Sequence, residues 1–123
     1  MASIDLTGIP VIDNHCHGLY RDQEPFDPVT WRRFFTESHD PEMARDHVAN
    51  TVFYRRLLHQ LADFLECEPS EEAVLATRRA WRHGELIRAL LQTANIDMLL
   101  IDGGYPSPAR VLPGAAGCCR SSD

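Results

Sequence analysis

Lysine is absent from the 123 residues, and all twelve basic residues are arginine. No Schiff-base lysine, P-loop lysine or lysine general base can therefore come from this chain. Positive charge is also scarce: eighteen acidic residues against twelve basic ones leave a net charge of −6. With no long basic run, that balance disfavours diffuse binding to nucleic acid or to an anionic membrane. Long apolar runs are missing as well. Met98–Ile101 is far too short to span a bilayer, and Met1–Pro10 has neither the basic nor the apolar region of a signal peptide. No CxxC pair occurs among Cys16, Cys67, Cys118 and Cys119, which argues against a zinc ribbon or a thioredoxin motif, and adjacent cysteines rarely bridge each other. A composition of 44% hydrophobic and 24% charged residues is that of a soluble globular protein. The expectation is a cytoplasmic protein with neither a nucleic-acid nor a membrane partner, its lysine deficit reflecting G+C-rich codon usage.

What is present is ordered along the chain. A short apolar segment with Ile9, Val11 and Ile12 predicts a strand over about 9–13, with Pro10 near its beginning. Asp27-Pro28 reads as an N-cap followed by proline at the first helical position. Asp40-Pro41-Glu42 repeats that grammar and opens a predicted helix from about Glu42 to Glu66, with Val48, Val52, Leu58, Leu61 and Leu65 on one face. Ser70 caps a third helix, with Glu71 and Glu72 in its first turn. Gly84 breaks it, placing His83 as a cap at its C-terminus. A fourth helix carries Leu86, Ile87, Leu90, Leu91 and Ala94 as an apolar stripe. Ile96–Asp102 then changes period, as expected of a strand buried on both faces in a parallel sheet. Residues 111–123 have no periodicity and read as an unstructured tail, the texture left either by an out-of-frame gene end or by a flexible terminus. Arg32-Arg33, Arg55-Arg56 and Arg78-Arg79 recur at equal intervals, but the capping and core positions around them do not, so they are assigned to solvated helix faces.

Chemistry concentrates in Asp13-Asn14-His15-Cys16-His17-Gly18. Histidines one residue apart in extended chain project to the same side, where two neutral imidazoles can hold one borderline-soft divalent ion such as zinc. Asp13 shares that parity and is placed as a support for the ligands. Cys16 points the opposite way and reads as a small packed residue. The bland reading is a pair of solvated histidines. The remaining histidines, His39, His47 and His59, are scattered. Trp31, Phe34, Phe35, Phe53 and Trp81 read as helix packing.

Ile12-Asp13-Asn14-His15-Cys16-His17 resembles the first-strand D-x-H-x-H signature of the amidohydrolase superfamily. More narrowly, it is similar to the amidohydrolase-related branch, which includes the domain fused to glutamine synthetase-like proteins. The resemblance spans about residues 9–110. It implies an α/β fold: the N-terminal part of a (β/α)8 TIM barrel over residues 1–110, with strand 1 at about 9–13, a mostly helical insertion at about 27–95 and strand 2 at about 96–102. It further implies a metal at the C-terminal mouth of the barrel held by His15 and His17, zinc as the divalent ion, and Asp102 as a pocket residue at the end of strand 2, the alternative for Asp102 being a turn-stabilising role. The implied activity is hydrolysis of an amide, ester or related bond of a small-molecule substrate by metal-activated water, with decarboxylation as a variant. Such barrels need about 250 residues. The branch's later metal positions, including a lysine or glutamate after strand four, find no match here, and no catalytic residue is assigned. The chain alone is therefore expected to be inactive. The alternative is a small helical protein-interaction module in which the two histidines are incidental and the arginine pairs meet an acidic partner. Oligomeric state is left open.

Overall fold

The computed structural model describes residues 4–6, 8–21, 25–102 and 118–120. The chain divides into two compact units, residues 24–81 and residues 1–23 together with 82–123.

The unit of residues 24–81 is helical. Asp27 caps α1 (Pro28–Arg32), its carboxylate accepting the amides of Val29 and Thr30 at 2.9 and 3.0 Å. The Thr30 hydroxyl, donating to Asp27 Oδ2 at 2.5 Å, and then these amides hold the Asp27 carboxyl below the usual carboxylate range, and a tight turn, Arg33–Phe35, follows. The helix expected from Glu42 to Glu66 is interrupted. A π-helical turn (Met43–His47) and a 3-10 turn (Val48–Asn50) lead to Thr51, whose extended backbone restarts the chain as α2, Val52–Leu65. The Thr51 hydroxyl accepts the Tyr54 amide at 3.1 Å and donates to the Val48 carbonyl at 2.8 Å. That cap competes with continuation of the helix. It also turns Val52 outward, so the expected apolar face is broken there: Val52 is 83% exposed. α2 ends with Glu66 in the left-handed region at φ 54°, at the expected end of the helix. Ser70 caps α3, Glu71–Ala80, by accepting the Ala73 amide at 3.2 Å.

The interior of this unit is organised around a polar contact. Tyr54 is fully buried, and its hydroxyl donates to Glu71 Oε2 at 2.5 Å. Arg32 grips the same carboxylate with two donors, Nε to Oε2 and Nη2 to Oε1, each at 2.7 Å. A third Arg32 donor reaches the Arg45 carbonyl at 3.1 Å. Glu71 therefore ties α1, α2 and the π-turn to α3, beyond favouring a helix dipole. Arg32 is not solvated as expected, and neither is Arg78, half-buried with its guanidinium 5.4 and 5.5 Å from the ring centroids of Phe26 and Trp31. The aromatic packing continues through Trp31–Phe35, Phe35–Tyr54 and Phe64–Trp81, with centroids 5.1, 5.3 and 6.1 Å apart. Phe34 and Phe53 stay on the surface.

The other unit is α/β. β1 (Val11–His17) and β2 (Ile96–Asp102) pair in parallel, and β3 (Cys118–Arg120) pairs antiparallel on the far side of β2. β3 corrects the expectation of a wholly unstructured tail: residues 118–120 find backbone partners on the otherwise open edge of β2. Residues 103–117 and 121–123 lie outside the described residues. β1 runs four residues beyond the expected end at Asp13 because its amides and carbonyls have β2 to pair with. α4 (His83–Thr93) precedes β2. Its expected stripe is covered only in part, with Leu86 buried and Leu90 37% exposed. β2 is covered on one face, not two: Leu99 is 5% exposed and the adjacent Leu100 41%. Among the described residues no helix is long and apolar enough to cross a membrane.

Two outcomes test the polar interior. Glu71→Ala leaves the Tyr54 hydroxyl and the Arg32 guanidinium without their acceptor in a half-buried place and should cost about 2 kcal/mol. Urea unfolding followed by tryptophan fluorescence reads this directly, because Trp31 and Trp81 both lie in the helical unit. Burial first, and then the Glu71 carboxylate, raise the Tyr54 pKa well above its ordinary value of 10.0. The folded state therefore holds that proton more tightly than the unfolded state. The stability it gives is complete below pH 10 and is lost as pH rises above it. In an alkaline absorbance titration Tyr54→Phe should remove the last tyrosine to ionise and flatten that decline.

Candidate metal centre

The site starts at Asn95. This residue sits in the left-handed region at φ 53°, a conformation asparagine tolerates better than most side chains, and it joins α4 to β2. Its side-chain amide donates to the Ile9 carbonyl at 2.7 Å, and its own carbonyl accepts the Val11 amide at 2.8 Å. The chain entering β1 is thus clamped to the chain entering β2, and the parallel register begins at Val11 opposite Ile96.

From there the register runs to His17 opposite Asp102, with irregularities between Val11 and Ile12 and between Asp13 and Cys16. The last residues of both parallel strands consequently lie side by side, the end of such sheets at which ligand sites are built. The side chain of Asp102 lies outside the described residues. His15 and His17 are both exposed, and their rings meet edge to face with centroids 6.0 Å apart. Two imidazoles on one tetrahedral zinc, with Zn–N bonds of about 2.0–2.1 Å, have centroids about 5 Å apart. The two exposed rings are neighbours at a separation somewhat wider than that. Asp13 accepts the His15 backbone amide at 3.2 Å, so it braces the chain at His15 through the backbone. Among the described residues no group of three histidine, cysteine, aspartate or glutamate side chains comes together. Cys16 is half-buried, and its thiol lies 3.8 Å from the Leu100 carbonyl.

His83 is the residue the sequence misplaced. Trp81 and Arg82 are extended, so α3 ends at Ala80 and His83 becomes the first residue of α4 instead of a cap behind α3. Its Nε2 lies 2.8 Å from the Tyr20 carbonyl. A carbonyl only accepts, so Nε2 donates, while the buried Nδ1 has no hydrogen-bond partner among the described residues. His83 thereby anchors the segment that leaves His17, a tie across sixty-three residues that no local pattern announces. A separate concavity of about 470 Å3, lined by Ile4, Leu6, Ile9 and Val11 among others, opens at the opposite end of β1. Its lining is mostly apolar, with Asp5 and Asn95 as its polar residues. No family model, no curated protein and no solved structure matches the chain.

Asn95→Ala removes one hydrogen bond and places alanine in the left-handed region, costs that together amount to about 2 kcal/mol. The amides of Val11–His17 should then lose protection in hydrogen exchange while those of α2 and α3 keep theirs. Equal loss in both places would refute the clamp.

Proposed function

We propose that this chain carries the metal-binding start of an amidohydrolase-like, metal-dependent hydrolase, with β1 and β2 as the first two strands of a (β/α)8 barrel. The observation that carries the reading is the exposed imidazole pair of His15 and His17, 6.0 Å apart at the C-terminal end of a parallel strand. The parallel pairing of two strands across a long helical connection is the step such a barrel repeats.

In this reading His15 and His17 hold the divalent ion, zinc by the chemistry of its two nitrogen donors. Bound there, zinc would lower the pKa of a water molecule and polarise the bond to be cut. The chain's own residues do the positioning. The Asn95 clamp sets the strand entry, and the Asp13 carboxylate fixes the backbone at the first ligand. The His83–Tyr20 contact fixes the chain behind the second. Asp102, beside His17 in register, is the pocket residue. The substrate is a small molecule with an amide, ester or related bond.

A second reading draws on the helical unit, which has its own buried residues in Tyr54, Ala62, Leu65, Val74 and Leu75. It takes the chain as a protein-interaction module and the histidines as incidental.

Zinc titration of chelator-treated protein separates the two. The hydrolase reading expects zinc binding that is lost in His15→Ala and in His17→Ala, with far-ultraviolet circular dichroism unchanged because both side chains are exposed. It also expects no zinc-dependent ester or amide hydrolysis by this chain alone, since two imidazoles hold a divalent ion weakly and no catalytic base is assigned. Zinc affinity identical in the wild type and both variants would sink it.

A further inference from the structure

The three arginine pairs are not equivalent once the helical unit has formed. Arg32 binds both Glu71 oxygens, and Arg78 is half-buried over the rings of Phe26 and Trp31. Only at Arg55-Arg56 are both members of a pair exposed. Arg55 donates to neutral oxygens, Asn50 Oδ1 at 3.2 Å and the Ala49 carbonyl at 3.5 Å. Among the described residues no carboxylate pairs with either guanidinium.

The same face of α2 exposes apolar surface. Val52 is 83% and Phe53 64% exposed, both turned outward by the cap at Thr51. Helical spacing sets Arg55 and Arg56 three and four residues on from Val52, and Arg56 three on from Phe53, over one surface. Phe53 also meets the Phe35 ring, with centroids 6.4 Å apart, which orients it at the surface. From Val52 to Ala62 the sequence contains no acidic residue. An apolar and cationic face therefore stands on a chain whose net charge is −6. Aromatic side chains together with arginine are the composition enriched where proteins meet. We propose that the first two turns of α2 dock an acidic, amphipathic segment of a partner protein, its apolar side chains covering Val52 and Phe53 and its carboxylates meeting Arg55 and Arg56. A nucleic acid or an anionic bilayer brings many charges against a chain that is acidic overall, whereas such a segment brings a few, at the two guanidiniums. The inference is independent of any metal at His15 and His17.

The test is fluorescence anisotropy with the full chain and a labelled helical peptide of leucine and glutamate, its leucines at helical spacing. A glutamine-for-glutamate peptide and a serine-for-leucine peptide are the controls. The first peptide should bind, and each control should bind about tenfold more weakly or worse. Val52→Ser and Phe53→Ser should each weaken binding about tenfold, the order of one covered apolar side chain. Arg55→Gln combined with Arg56→Gln should weaken it about fivefold, an effect that added salt reproduces. Far-ultraviolet circular dichroism should stay that of the wild type, because all four side chains are exposed. No binding of the first peptide, equal affinity for all three, or binding indifferent to the four substitutions overturns the proposal. Self-association of the free chain that Phe53→Ser abolishes would give the face to a second copy and overturns it too. So does binding of phosphatidylglycerol vesicles or single-stranded DNA that the arginine substitutions remove.

Discussion

The parallel pairing of β1 with β2 is the contact on which the candidate site depends. β1 is an isolated apolar segment far from any other strand in sequence, and alone it has no partner for its amides and carbonyls. β2 supplies those partners, and Asn95 decides where the pairing begins. One residue of slip would exchange the faces of a strand, moving His15 and His17 from the side they now share with each other to the side of Cys16. The clamp at Asn95 is thus a chemical decision made at the opposite end of the strand from the imidazoles. His83 makes the complementary decision behind His17, through the Tyr20 carbonyl.

The helical unit is held by a different kind of interaction. Its interior contains a carboxylate shared by a phenol and a guanidinium, Glu71 between Tyr54 and Arg32. Ion pairs of this kind gain little over apolar packing in stability, but they are costly to leave incomplete, so they select one arrangement among several helix packings. α1 has five residues, too few to persist alone. Its persistence depends on the Asp27 cap at one end and on Arg32 at the other, where the side chain reaches Glu71.

Local chemistry was legible in the sequence where a single residue acts on its near neighbours. Asp27 and Ser70 cap the helices they were expected to cap, and the change of period after Asn95 locates β2. Thr51 caps α2 from inside an apolar repeat, and the repeat masks it. The pairs of arginines misled because charge was taken to mean solvent, whereas Arg32 and Arg78 bury long stems against a carboxylate and aromatic rings. The apolar run Met98–Ile101 promised cover on both faces of β2, yet apolar sequence records only what a strand tolerates, not what is there to cover it. Leu100 is the case in point. For the site, the spacing of His15 and His17 gave the pair. The bonds that fix it, Asn95 to Ile9 and His83 to Tyr20, join residues more than sixty positions apart and have no local signature.

In the proposed reading the imidazole pair supplies only part of a coordination sphere, and what completes it would determine what an ion there can do. Ligands from further strands of a barrel would leave one position open for water and make the ion a Lewis acid. Strand pairing and metal chemistry are coupled in that reading: whatever pairs with the outer edge of β1 would also set how a water molecule reaches the ion.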